Sequence, residues 1–235
     1  MSFRAATRAA PYLAALLLTV SCAGGPKRPP RATLGPESDS GAAIRFEDLP
    51  VARLERDRVP KPNAANPSLG AANAPVVIQT WSDFECPFCA DMHPVLMELL
   101  EAYPGRIRLV WHDYPLPFHA HARLAANAGR EAYAQGGPSA FWKFHDAVYE
   151  TQDRELTLSE LSELGKRAGL DDERLRSALG TRRHDAEIEH DVSAGNALGI
   201  EGTPAFLVND YYFVGSIPLQ VMRVIVDRAL SDLGQ

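Results

Sequence analysis

The stretch Val76-Val77-Ile78-Gln79-Thr80-Trp81 is mostly apolar and rich in β-branched residues, so it predicts a buried β-strand. Residues 82–85 break the pattern. Beyond them Met92, Leu96, Leu99 and Leu100 recur at helical spacing, and Pro104-Gly105 ends the run. Pro94 lies inside this helix and predicts a kink. Residues 107–111 form a second strand. A strand–helix–strand segment of this length implies a parallel pair joined by a right-handed crossover.

The following stretch reads as helical. Residues 119–134 are alanine-rich, and residues 141–149 carry another apolar helical face. Thr157-Leu158-Ser159-Glu160 is a capping box that opens a helix with Leu158, Leu161 and Leu164 on one side. Asp171 or Asp172 caps a short helix ending at Gly180, and a further helix runs from about His184 to Leu198 and stops at Gly199. Residues 205–208 and 211–214 are short strands around the tight-turn dipeptide Asn209-Asp210. Pro218 starts a last helix with Leu219, Met222, Val226 and Leu230 facing inward. The order is β-α-β, an all-helical block, then β-β-α.

Upstream, residues 1–22 read as an export signal. Arg4 and Arg8 give the positive start, and residues 9–20 are apolar but too short to span a bilayer comfortably. The segment Leu18-Thr19-Val20-Ser21-Cys22 resembles a bacterial lipoprotein signal, with Thr19 where that motif usually has Leu. Cys22 is then a lipidation site and membrane anchor; the alternative is ordinary cleavage with Cys22 incidental. A Cys at this boundary followed by a Pro/Gly-rich tether favours the anchor. Either route puts the mature domain outside the cytoplasm, where disulfides persist. Residues 23–58 are expected to be a flexible tether and short extension, with 44–60 fitting either a short helix or a strand, and residues 59–235 the folded domain.

With a net charge of −6 over 235 residues, nucleic-acid binding is disfavoured. There are 3 cysteines, and two of them form Cys86-Pro87-Phe88-Cys89 at the start of the first helix. There, unpaired N–H groups and the helix dipole favour thiolate, the form that attacks disulfides. A purely structural disulfide would close a tiny loop and stabilise little. A metal site would need more ligands; His93, four residues after Cys89, is the one neighbour on the same helix face, and no metal is expected. His119 and His121 point apart on a helix and read as loop or surface histidines. Trp111 and His112 end a strand and read as packing residues. Residues 184–191 read as a solvated helix face.

This element order resembles the α/β thioredoxin fold with an inserted helical block, the DsbA-like family of exported thiol–disulfide oxidoreductases. Three segments carry the resemblance: Ser82-Asp83-Phe84-Glu85-Cys86-Pro87-Phe88-Cys89, Tyr114-Pro115-Leu116-Pro117-Phe118-His119, and Gly199-Ile200-Glu201-Gly202-Thr203-Pro204-Ala205-Phe206. The resemblance implies that Cys86 is the exposed nucleophile and Cys89 the buried resolving thiol. It implies that Pro87 and Phe88 tune the potential. Pro204 would be a cis proline, with the Thr203 backbone pairing with substrate. Such proteins often carry a buried acid six residues before the first Cys; here Thr80 stands there, and a hydroxyl cannot hold a proton as a carboxylate does. Asp83 and Glu85 are nearby but expected to be more exposed.

The expected activity is disulfide exchange with cysteine-containing exported proteins, in the oxidising direction, with a redox partner to recycle the dithiol and no cofactor. The alternatives are a reductase of exported thiols and a non-catalytic anchored binding or assembly module.

Overall fold

A computed structural model describes residues 44–151 and 153–234. One compact unit spans Ala43–Gln235. The expected signal, most of the tether and Cys22 lie outside the described residues.

Residues 44–58 belong to the folded unit, with 3-10 turns at Phe46–Asp48 and Arg56–Arg58 and a strand β1 at Ala52–Arg53 between them. Phe46, Leu49 and Val51 are partly buried and pack on the core, so the stretch that fitted either a short helix or a strand is edge structure with both short turns and a strand.

The other strands are β2 (Ser68–Gly70), β3 (Val76–Ser82), β4 (Ile107–Asp113), β5 (Ala205–Val208) and β6 (Tyr211–Val214), in one sheet of order β1-β6-β5-β3-β4-β2. β3 runs parallel to β4 and antiparallel to β5, and the remaining pairs are antiparallel. Helix α1 (Pro87–Ala102) connects β3 to β4 and continues through Pro94. The helical block is α2 (Ala122–Glu150), α3 (Leu158–Arg167), α4 (Asp172–Thr181) and α5 (Asp185–Leu198), and α6 (Leu219–Ser231) closes the chain. Within α2, Gly136 and Gly137 leave helical geometry, Gly137 at φ 66°, so α2 is two helices that meet at a kink, matching the two helical stretches expected from sequence. Thr157 and Asp171 cap α3 and α4 through bonds from the N–H groups of Glu160 and Arg174.

The period-2 pleat of β3 separates two environments. Val76 and Ile78 enter the main core with α1, α2 and α6, while Trp81 joins a smaller cluster with Tyr114, Ile200 and Leu207. His112 stacks on Trp81, with ring centroids 4.4 Å apart, so Trp111 and His112 do pack structurally.

The reading of residues 184–191 as a solvated face is corrected. Ile188 and Asp191 are buried, and His184 bonds Glu131 through Nε2 at 2.9 Å. Asp191 lies in a polar network beneath the end of β4. The Arg130 guanidinium donates to both Asp113 and Asp191, and its third contact is the Ala65 carbonyl at 2.6 Å. Asn66 and His112 also bond Asp191, at 3.1 and 3.0 Å. A buried ion cluster of this kind is costly to break, because removing one partner strands the others.

Arg130→Met is therefore expected to destabilise the protein by about 3–5 kcal/mol near neutral pH, measured by urea unfolding. Burial raises the Asp113 pKa, so the variant's stranded Asp113 carboxylate favours the protonated form on folding. Its deficit should shrink as pH falls toward 4 and grow as pH rises.

Candidate active site

β3 ends at Ser82, and the next three residues are tied down one by one. The Asp83 carboxylate accepts from Glu85 N–H (2.8 Å), Leu116 N–H (2.8 Å) and His119 Nδ1 (2.7 Å). Phe84 enters the core against Trp111, centroids 4.9 Å apart. Glu85 accepts from the N–H of His121 (2.6 Å) and lies 3.2 Å from its Nδ1. Asp83 was expected to be exposed and is buried, because the Leu116–His121 loop folds over it and supplies its donors. Burial raises its pKa, and these hydrogen bonds pull the other way.

Cys86 is the N-cap of α1, and Pro87 occupies the first turn, where a missing N–H costs nothing. Both cysteines are buried, each 3% accessible. The expected exposure of Cys86 is thus corrected: the loop carrying the cis Thr203–Pro204 bond packs over it, and Cys86 Sγ donates to the Thr203 carbonyl at 3.3 Å. The two thiols are nevertheless unlike. The Cys89 thiol donates to Cys86 and, against the effect of burial and with help from the N–H groups of Cys89 and Phe88, lowers the Cys86 pKa to about 6. Burial, and then the Cys86 sulfur itself, push Cys89 well above the ordinary thiol value. The arrangement suits one sulfur to attack and the other to wait as a thiol. Around the pair, Phe88 and Phe118 are the exposed large apolar residues, and Thr80 Oγ1 pairs with Ser82 Oγ at 3.0 Å on β3.

A family model described as thioredoxin matches residues 63–228. The chain belongs to this thioredoxin family. The probable disulfide bond formation protein D of Bacillus anthracis is 30% identical over 153 residues, which are 60% of this chain and 69% of that protein. The crystal structure of BdbD from Bacillus subtilis superposes with a TM-score of 0.65 at 25% identity, covering 71% of this chain and 94% of that one. The Na(+)/H(+) antiporter NhaA 3 of Salinispora tropica is 36% identical over 164 residues, 69% of this chain. That match spans about a quarter of the antiporter, 24% of its length. No helix among the described residues is long and apolar enough to cross a membrane.

Within this thioredoxin-family, DsbA-like fold, Cys86, Pro87, Phe88, Cys89, Thr203 and Pro204 converge at one end of β3. Cys22 lies outside the described residues. Reading the sequence missed His119 and His121 as anchors of Asp83 and Glu85. Their spacing, matched to Asp83-x-Glu85, was the available signal.

The unequal thiols set the pH dependence of the couple. Below pH of about 6 both cysteines of the reduced form carry protons; above it Cys86 is thiolate. A group whose folded pKa is depressed stabilises the reduced form above that value and loses the effect as pH falls through it. The reduction potential should therefore fall by about 59 mV per pH unit below the break and by about 30 mV above it. Glutathione equilibration between pH 5 and 8 measures this, and a slope of about 59 mV per unit throughout would show that Cys86 is not a thiolate at neutral pH.

Proposed function

We propose that this protein is an exported thiol–disulfide oxidoreductase that passes disulfides to cysteine-containing exported proteins through Cys86-Pro87-Phe88-Cys89. The observation that carries the reading is the unequal pair: a Cys86 pKa brought down to about 6 beside a Cys89 pushed upward. A substrate thiolate attacks Cys86 of the oxidised pair, which forms the mixed disulfide and releases Cys89; in the reverse step, Cys89 attacks Cys86 and resolves it. Pro87 and Phe88 tune the couple from within the first turn of α1. The Thr203 backbone, beside Cys86, offers a strand-like edge to the substrate chain, with Pro204 shaping it.

Oxidation is the favoured direction. A stabilised thiolate favours the reduced form and makes the disulfide a donor, and relatives named as disulfide bond formation proteins support it. The value near 6 is less extreme than the ~3.5 of a very strong oxidant and nearer the ~7 of a reductase, so the couple is one of moderate strength. A redox partner recycles it. Cys22 holds it to a bacterial membrane by a lipid, on the periplasmic side. A reductase of exported thiols is the second reading, which the same modest shift of Cys86 favours.

The full chain is expected to oxidise a reduced, unfolded substrate and to equilibrate with glutathione at a potential between about −120 and −230 mV. Cys86→Ser should abolish this, and Cys89→Ser should accumulate a mixed disulfide seen on non-reducing gels. A potential of about −270 mV would make it a reductase; no cycling at all would leave the non-catalytic binding module.

A further inference from the structure

Cys89 must lose a proton to resolve a mixed disulfide, yet the β3 position where relatives often hold an acid is Thr80. Neither nearby carboxylate is placed to help. Both Asp83 oxygens are engaged by Glu85, Leu116 and His119, and Glu85 is engaged by His121. The described residues offer another group.

His93 follows Cys89 by four residues in α1, so both lie on one face of the helix. Both line a cavity of about 10 Å³, room for a single water. Thr80 and Ser82 of β3 and Trp142, His145 and Tyr149 of α2 complete its polar wall. Two polar atoms of these lining residues are buried without a protein partner, His93 Nδ1 and Trp142 Nε1. An indole N–H only donates, and a neutral imidazole offers one acceptor nitrogen. His93 Nε2 lies 3.4 Å from Asp146 Oδ1, an oxygen that His145 Nδ1 also approaches at 3.0 Å; the nearby negative charge favours the ring proton on Nε2, with Nδ1 as the acceptor. One water can take the Trp142 proton and give its own to His93, with the Cys89 thiol on the same cavity.

We propose that His93 takes the proton of Cys89 through one water in this cavity and, with Asp146 behind it, passes that proton to solvent. The proposal rests on the oxidoreductase reading. In the step, the Cys89 S–H bond breaks, the water gives a proton to Nδ1, and the Cys89 sulfur attacks Cys86 Sγ. The Cys86–partner disulfide bond breaks, and its electron pair leaves on the partner's sulfur. No other oxidant is needed. His93 then releases a proton from its edge, since its side chain is 21% exposed and that of Asp146 is 48% exposed.

The surrounding groups fit this assignment. Burial lowers the His93 pKa, while Asp146 and Glu150 of α2 act against it, so the ring rests neutral at pH 7 and free to accept a proton. His145, its neighbour on α2, is brought down to about 4 by burial and stays neutral. Burial raises Tyr149 well above the ordinary phenol value, so it too carries no charge. From β3, Thr80 and Ser82 contribute only hydroxyls.

The test is stopped-flow reaction of the reduced full chain with 5,5′-dithiobis(2-nitrobenzoate) between pH 5 and 8. The first release of coloured thiolate reports Cys86 attack; the second reports Cys89 displacing the aromatic thiolate from Cys86. In His93→Gln the second phase is expected to slow about 10²-fold at pH 7 and to climb tenfold per pH unit, while the wild type levels off. Asp146→Asn, a near-isosteric change at a half-exposed side chain, should slow the second phase by a smaller factor. The first phase should be unchanged in both. A second phase within twofold of wild type in both variants, with the same pH profile, would overturn the relay. So would equal slowing of both phases, which marks a structural role. If the wild type shows no second phase, the oxidoreductase reading fails and takes the relay with it.

Discussion

A thiolate at Cys86 and a thiol at Cys89 are each the cause of the other, and the rest of the site depends on that pair. Cys89 stays protonated because burial disfavours its charged form, and a protonated Cys89 is the largest influence that lowers Cys86. The Cys86 sulfur in turn raises Cys89 further. The helix start adds N–H donors from Phe88 and Cys89. If both sulfurs were equally wet, neither would be singled out as nucleophile, since helix position alone acts on two residues of the same turn.

Such a pair works only if α1 begins in one place, and that is the task of the three residues before it. Asp83 and Glu85 tie the turn to the Leu116–His121 loop, and Phe84 pins it to the core. The loop is itself fixed at its root. Tyr114 N–H bonds the Ser82 carbonyl at 2.8 Å, and Asp113, the partner of Ser82 in the parallel ladder, is clamped by Arg130. The buried ion cluster and the thiols are therefore linked by neighbouring ladder positions, with the charged network holding the strand ends from which the active-site turn departs. Burying Asp83 is a cost that three donors offset, a trade that gives the turn one geometry.

The order of elements was legible because it rests on local periodicity and caps: Thr157, Asp171, Gly199 and the Asn209 turn are found as their residue types imply. Cys86 at a helix start was legible for the same reason. What escaped is what depends on contacts between distant residues. Whether Asp83 is buried turns on His119, 36 positions away, and whether Cys86 is covered turns on Thr203, 117 positions away. Residues 141–149 read as an apolar face, which is true of Phe141, Phe144 and Val148 and hides His145 and Asp146 among them. Residues 44–58 could not be assigned to helix or strand because a two-residue strand leaves no period to detect.

The burial that makes this pair useful also sets its kinetic difficulty. Each unit by which a thiol pKa rises above ambient pH reduces its thiolate tenfold, while the thiolate's intrinsic reactivity rises only about threefold. Raising Cys89 to secure Cys86 therefore slows resolution by about threefold per unit, and an acid-relay carboxylate at position 80 is not there to recover it. A fully apolar pocket behind Cys89 would make that loss permanent. The pocket is mixed: Met92, Leu96, Leu109 and Phe206 share its wall with hydroxyls, an indole N–H and two histidines around a space of about 10 Å³, and one of those histidines reaches solvent beside Asp146. A neutral base at the rim leaves Cys89 desolvated at rest and opens a route for its proton only when the sulfur reacts. A permanent anion at position 80 would instead repel the Cys86 thiolate that the site is arranged to hold.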